Sequence, residues 1–179
     1  MQEHGLKISE LVTLFNLEVL NRGSDYDTAL LTITDVNRPG LQFHSFYDYF
    51  DPRRLQVLGK AEITYLKGLT TEQRRKCFDD LFLYDIPALV ISRGLDCFPE
   101  CLESARVHER TLLRTEETTV DFTSHTIEYL NRVLAPCVTR HGVLLDISGE
   151  GVMITGDSGI GKSESAIELI MRGHRLVAD

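Results

Sequence analysis

Residues 156–163 read Gly156-Asp157-Ser158-Gly159-Ile160-Gly161-Lys162-Ser163, which matches the pattern G-x-x-x-x-G-K-[ST] of a phosphate-binding loop. The apolar run 151–155 before this stretch predicts a buried strand. The run 163–172 after it places apolar residues on one helical face and is followed by Gly173, so it predicts a helix. Strand, glycine loop and helix in this order are the context that the motif requires.

The residue types in this stretch suit a phosphate ligand. Glycine lets the backbone take turns in which successive N–H groups point at phosphate oxygens, and a helix start adds the positive end of its dipole. We expect Lys162 to reach the β- and γ-phosphates and the Ser163 hydroxyl to complete a Mg²⁺ shell. The alternative is a turn that merely joins strand to helix, but such a turn has no need of Gly-Lys-Ser at the helix start.

Composition limits the class of protein. The chain has 179 residues, of which 42% are hydrophobic and 26% charged, as is ordinary for globular proteins. Its net charge of −8 argues against a nucleic-acid partner. The first residues lack the pattern of a signal peptide, and the chain contains no apolar run of about 20 residues that would predict a membrane span. We therefore expect a cytoplasmic protein with neither nucleic acid nor membrane as partner.

Four cysteines occur without a C-x-x-C pair, at Cys77, Cys97, Cys101 and Cys137. Cys97 and Cys101 are four residues apart, and no histidine stands near them at the spacing of metal ligands. A zinc site is therefore disfavoured. The sequence predicts reduced, partly buried thiols, in agreement with a cytoplasmic location.

Alternating strand and helix patterns in residues 1–135 predict an α/β domain with a mostly parallel sheet. Strands are expected at residues 29–34, 55–58, 88–91 and 111–113, and helices at 7–17, 61–66, 71–83, 99–108 and 119–134. Segment 135–140 then leads into a β-hairpin over 143–155. We predict two domains, residues 1–135 and an incomplete phosphate-loop domain at 136–179.

The chain resembles bacterial HPr kinase/phosphorylase over its whole length. The likeness is most specific over residues 140–179, from Arg140-His141-Gly142-Val143 through the phosphate loop to Gly173-His174-Arg175-Leu176-Val177-Ala178-Asp179. Shorter matches in the first half are Asn37-Arg38-Pro39-Gly40-Leu41, Asp48-Tyr49-Phe50 and Leu55-Gln56-Val57-Leu58-Gly59-Lys60.

This resemblance implies a bifunctional enzyme. Members of the family phosphorylate a seryl hydroxyl of HPr, a carrier protein of the sugar phosphotransferase system, with ATP or pyrophosphate and Mg²⁺. They also reverse the reaction with phosphate, and they control carbon catabolite repression. The family is hexameric, and its nucleotide domain resembles phosphoenolpyruvate carboxykinase. For this chain the resemblance implies HPr as partner, a homo-oligomer, and a cytoplasmic location.

Carried over by position, the resemblance implies that His141 and Lys162 are catalytic. It implies that residues 156–163 bind the nucleotide and that Ser163 binds the metal. From the residues alone, His141 opens a hairpin strand, where a solvent-facing ring is the alternative. His174 also matches the family, and we interpret it as structural.

Asp179 matches the first of two adjacent aspartates, the second of which is the acid–base group of the family. We therefore expect the chain to be part of a longer enzyme. Two other interpretations stay open: a P-loop NTPase or small-molecule kinase that shares only the loop, and a non-catalytic assembly or sensing module formed by residues 1–135.

Overall fold

A computed structural model of the chain describes residues 5–136 and 140–179. The chain divides into two compact units, Met1–Ala135 and Pro136–Asp179. Half of the joining segment expected at residues 135–140, including Cys137, lies outside the described residues. So do the first four residues of the N-terminus, in which no signal peptide was expected. The two units are described separately.

The first unit is built of alternating strands and helices. Its strands within residues 5–135 are β1 (Leu6–Lys7), β2 (Glu18–Asn21), β3 (Leu30–Leu31), β4 (Val36–Asn37), β5 (Leu55–Leu58), β6 (Leu89–Ile91) and β7 (Leu112–Arg114). Its α-helices in the same range are α1 (Ile8–Leu14), α2 (Lys60–Lys67), α3 (Thr71–Phe82), α4 (Pro99–Val107) and α5 (Thr119–Val133), and Gln42–His44 forms a 3₁₀ turn. The expected α/β class is confirmed.

Five of these strands form one sheet in the order β2-β7-β6-β5-β4. Strands β4 to β7 run parallel to one another, and β2 pairs antiparallel with β7 at the edge. The prediction of a mostly parallel sheet is therefore confirmed. The small β1–β3 pair is a separate antiparallel ladder.

Helices cover both faces of the five-stranded sheet. Every residue of β5 and β6 is buried, as expected for a parallel sheet with two covered faces. Leu89 and Ile91 belong to the core formed with α2, α3 and α4, whereas Val90, between them, belongs to the core formed with α1 and α5. This alternation across the strand gives the first unit its three layers.

Local signals explain where the helices begin. Thr70 accepts a hydrogen bond from the backbone N–H of Gln73, whose side chain accepts one from the N–H of Thr70, so a capping box opens α3. Thr118 accepts the N–H of Asp121 in the same way and starts α5. Pro99 occupies the first position of α4, where a missing N–H costs nothing.

The second unit is a three-stranded sheet with one helix. Its described elements are β8 (Gly142–Ile147), β9 (Glu150–Thr155), α6 (Lys162–Met171) and β10 (Arg175–Ala178). The sheet order is β10-β8-β9, and β8 is antiparallel to both neighbours. The predicted hairpin is confirmed, with a tighter turn at Ser148–Gly149, where φ is 57° and 90°. Positive φ at both turn residues is the geometry of a type I′ hairpin.

Candidate phosphate-binding site

The glycine-rich stretch forms the connection between β9 and α6. Strand β9 ends at Thr155 and helix α6 begins at Lys162, so the loop leads directly to a helix N-terminus. Gly159 and Gly161 have φ of 82° and 97°, a region that side chains rarely adopt. The strand–loop–helix arrangement predicted from the sequence is present, and glycine is favoured both at Gly161, a fixed position of the motif, and at Gly159, a variable one.

Lys162 lies across the loop. Its Nζ donates to the carbonyl oxygens of Gly156 and Asp157, with both N···O distances 2.7 Å. An ammonium group has three donors, so these two bonds hold the side chain over the loop and leave a further N–H for a ligand oxygen. The positive charge of Lys162 is thus fixed beside the first turn of α6.

The first turn of α6 presents groups that suit an anion and a cation. The backbone N–H groups of the residues before Ser165 have no partner inside the helix. The first i to i−4 hydrogen bond of α6 runs from the Ser165 N–H to the Gly161 carbonyl, at 3.0 Å. Ser163 follows Lys162 and is exposed, so its hydroxyl is free to meet a metal ion. Asp157, Ser158 and Ile160 are also exposed, and the loop is open to a ligand along its length.

The hairpin register brings His141 to this loop. Gly142, the first residue of β8, pairs with Thr155, the last residue of β9. His141 therefore precedes β8 at the same end of the sheet at which Gly156 follows β9. His141 is exposed, and its catalytic role stays a prediction.

Asp179 lies at the same end of the sheet, next to β8 on the side opposite β9. Strands β9 and β10 are both antiparallel to β8, so their carboxyl ends lie at one end of the sheet. Ala178 pairs with Leu144, and Asp179 follows it. The residues alone did not predict the position of Asp179, because the pairing of β10 with β8 is a long-range contact.

His174 lies at the opposite end of the sheet. It precedes Arg175, which pairs with Asp146 near the hairpin turn, and its backbone N–H donates to the Leu169 carbonyl at 3.2 Å. This bond closes the C-terminal end of α6. The structural interpretation of His174 agrees with this position.

The cysteines form no metal centre in the described structure. Cys77, Cys97 and Cys101 are free thiols, as predicted, and Cys137 is outside the described residues. Over residues 5–136 and 140–179, His, Cys, Asp and Glu side chains form no group of three that could hold a metal ion. None of the helices in those residues is long and apolar enough to cross a membrane.

Two family models match the chain. The model for the HPr serine kinase N terminus matches residues 6–130, and the model for the HPr serine kinase C-terminal domain matches residues 132–179. Together the two matches reach both structural units, and the second includes the whole phosphate loop.

Curated relatives show the same likeness. The chain is 48% identical to HPr kinase/phosphorylase of Alkaliphilus metalliredigens over 174 residues, which are 97% of this chain and 56% of that protein. It is 47% identical to HPr kinase/phosphorylase of Clostridium tetani over 175 residues, 98% of this chain and 57% of that protein. The chain thus spans a little over half the length of these relatives.

One solved structure shares the fold. It contains the CBS and DRTGG domains of the regulatory region of Clostridium perfringens pyrophosphatase, complexed with the activator diadenosine tetraphosphate. The TM-score is 0.50 at 15% identity, and the match covers 71% of this chain and 49% of that one. At this identity the likeness concerns the fold alone.

Proposed function

The chain belongs to the HPr serine kinase family, and from that premise we propose that the protein transfers a phosphoryl group from ATP or pyrophosphate to a seryl hydroxyl of HPr. We further propose that it catalyses the reverse reaction, in which phosphate attacks phosphoserine and pyrophosphate leaves. The observation that carries the proposal is the loop between β9 and α6, with Lys162 bridging the carbonyls of Gly156 and Asp157.

The loop supplies the binding groups. The N–H groups of residues 156–163 and the dipole of α6 surround the phosphates, and Lys162 stabilises the charge that develops on the transferred group. The exposed Ser163 hydroxyl suits one position in a Mg²⁺ shell, and the phosphate oxygens supply others. When bound, Mg²⁺ neutralises phosphate charge and holds the phosphates in line for transfer.

Residues beside the loop would accept the seryl proton and contact the transferred phosphate. As the seryl oxygen bonds to phosphorus and the bond to the leaving phosphate breaks, the seryl proton must pass to a base. The resemblance assigns that role to the second of two adjacent aspartates, of which Asp179 matches the first, and the pairing of Ala178 with Leu144 supports this assignment. We expect His141, which directly precedes β8, to contact the transferred phosphate or its leaving group.

The remaining parts of the proposal concern the surroundings of the site. Residues 136–179 would form the opening of a nucleotide domain like that of phosphoenolpyruvate carboxykinase, and residues 1–135 a separate N-terminal domain. HPr would be the protein partner, the assembly a homo-hexamer, and the location the cytoplasm, where control of carbon catabolite repression takes place.

Phosphoryl transfer to HPr tests the proposal. The protein as its gene encodes it is incubated with HPr, ATP and Mg²⁺, and HPr is analysed by mass spectrometry for phosphoserine. We expect Lys162→Ala to lower the rate on the order of 10²-fold, the usual cost of removing one group that stabilises transition-state charge. Lys60→Ala is the matched control, because Lys60 begins α2 as Lys162 begins α6 but lies in the first unit.

Two results would overturn the proposal in different ways. Rapid ATP turnover that does not depend on HPr and leaves HPr unmodified would indicate a P-loop NTPase or small-molecule kinase. Nucleotide binding without turnover of any kind, under conditions in which a related kinase phosphorylates the same HPr, would indicate a non-catalytic assembly or sensing protein.

A further inference from the structure

A cavity of the first unit lies between the end of helix α1 and helix α5. Its volume is about 360 Å³, which is within the range of small-molecule sites. The lining consists of the last residue of α1, the residue after it, and one face of α5: Leu14, Phe15, His125, Glu128, Tyr129 and Arg132. The proposed phosphoryl transfer uses none of these residues.

Aromatic rings form the apolar wall of the cavity. Phe15 packs edge-to-face against Phe122 and Tyr129, with ring centroids 5.7 Å and 6.3 Å apart. Phe122 is fully buried, so these contacts anchor the two rings that line the cavity. Leu14, beside them, is 46% exposed. The wall therefore offers two fixed rings and an accessible leucine to an apolar group.

Two opposite charges border this wall. Glu128 and Arg132 are four residues apart on α5 and therefore share one helical face. Within residues 5–136 and 140–179, neither side chain forms an ion pair. The Arg132 guanidinium instead lies over the Tyr129 ring, 5.0 Å from its centroid. This contact uses the face of the guanidinium, so its N–H groups stay available to a carboxylate.

The histidine of the lining has its own partner. Nδ1 of His125 lies 2.9 Å from a carboxylate oxygen of Glu117, so a positive charge on this imidazole would be balanced. The charges left for a ligand are the negative one of Glu128 and the positive one of Arg132. A simple anion at Arg132 would also meet the Glu128 carboxylate, and a simple cation at Glu128 would also meet the guanidinium. A ligand that carries both charges close together matches this lining.

We propose that this cavity binds a free α-amino acid with an aromatic side chain. Such a molecule carries its ammonium and its carboxylate on one carbon atom. Arg132 donates to the α-carboxylate with its forked N–H groups, and the Glu128 carboxylate accepts from the ammonium. The aromatic side chain packs against Phe15 and Tyr129, whose rings favour offset or edge-to-face contacts with another ring. The proposal does not depend on phosphoryl transfer, because it concerns binding alone.

Three related ligands test the proposal by isothermal titration calorimetry on the full chain. L-phenylalanine carries both charges, 3-phenylpropanoate lacks the ammonium, and 2-phenylethylamine lacks the carboxylate. We expect each analogue to bind on the order of tenfold more weakly than phenylalanine. This is the lower end of the range for hydrogen bonds between charged groups, since Glu128 and Arg132 are exposed to water.

Variants assign each ligand charge to a side chain. In Glu128→Gln, phenylalanine and 3-phenylpropanoate should bind with nearly equal affinity, and in Arg132→Gln, phenylalanine and 2-phenylethylamine should do so. Arg106→Gln is the matched control, because Arg106 is likewise the basic residue in the last turn of a first-unit helix. This control should keep the wild-type order of affinities.

The wild-type chain alone can overturn the proposal. If either analogue binds to it as tightly as phenylalanine, the cavity does not recognise both charges. If phenylalanine does not bind at concentrations up to about 10 mM, above the usual range for metabolites, the cavity is not an amino-acid site. A wild-type preference for phenylalanine that persists in both Glu128→Gln and Arg132→Gln would place the binding elsewhere on the molecule.

Discussion

Gly161→Ala should weaken phosphate binding through the backbone alone. Gly161 is the N-cap of α6, with φ of 97° and ψ of 20°. An added Cβ would meet only the Glu164 carboxylate, at 3.9 Å, an ordinary contact distance. The change therefore introduces no clash, and its effect comes from forcing an L side chain into a left-handed backbone conformation.

The size of the effect follows from that conformational cost. A left-handed conformation costs an alanine roughly 1–2 kcal/mol. The loop must adopt this conformation to aim its N–H groups at a phosphate. The conformational cost therefore lowers the fraction of molecules whose loop can bind a phosphate. We expect the Kd for pyrophosphate or ATP, each with Mg²⁺, to rise about 5–30-fold.

Isothermal titration calorimetry measures this change, with Gly151→Ala as the matched control. Gly151 lies in β9, outside the left-handed region, and a Cβ there would meet nothing within 4 Å. Both substitutions remove the same freedom from the unfolded chain, so the comparison isolates the folded loop. Equal Kd values for the two variants would refute the reasoning, because the φ of Gly161 would then have no role in binding.

Two further predictions concern the first unit. Gly59→Ala should lower the free energy of unfolding by about 1–3 kcal/mol, because the new Cβ would lie 2.5 Å from Thr119 Oγ1. Gly40→Ala is the control, since a Cβ there would meet nothing within 4 Å, and it should leave the midpoint of urea unfolding nearly unchanged. Equal urea midpoints for the two variants would contradict the packing argument. Burial acts to raise the pKa of Glu62, but hydrogen bonds from Arg38 and backbone N–H groups outweigh it and hold the pKa below 4.5. Because the folded-state pKa is depressed, Glu62 stabilises the fold above about pH 4.5, and this contribution is lost as the pH falls through the folded-state value. Glu62→Gln should therefore flatten the acid limb of a pH-dependent unfolding curve, and an unchanged limb would show that the carboxylate does not contribute.

Much of the fold could be predicted from local sequence patterns. Helices α2 to α5 occur close to their expected positions, because each has a clear apolar face and most have a start signal such as Thr70 or Pro99. Strands β5 and β6 were predicted because both are short buried apolar runs. These features depend on neighbours in the chain, and so the sequence reveals them.

Other elements depend on distant partners and were missed or misjudged. Strand β2 carries no apolar run, and it exists because Glu18 and Val19 pair with β7, almost a hundred residues later. The strand expected at residues 29–34 is only Leu30–Leu31, since its partner β1 offers two residues for pairing. Propensity suggested a longer strand, and the available pairing decided its length.

The candidate site also combines features that local sequence predicts with features that depend on distant partners. The loop, its helix and Lys162 follow from a contiguous motif. His141 and Asp179 lie at the end of the sheet that carries the loop because of how β8 pairs with β9 and β10. Of these two pairings, only the β8–β9 hairpin could be predicted. The catalytic roles of His141 and Lys162 and the metal-binding role of Ser163 stay predictions.

Phosphorolysis of seryl-phosphorylated HPr is the sharpest test of the proposed function. The protein is incubated with this phosphoprotein, inorganic phosphate and Mg²⁺, and phosphorus NMR follows the products. We expect pyrophosphate to appear as phosphoserine is lost, and we expect Lys162→Ala but not Lys60→Ala to stop this reaction. Loss of phosphoserine with release of inorganic phosphate alone, or pyrophosphate formation that survives Lys162→Ala, would contradict it.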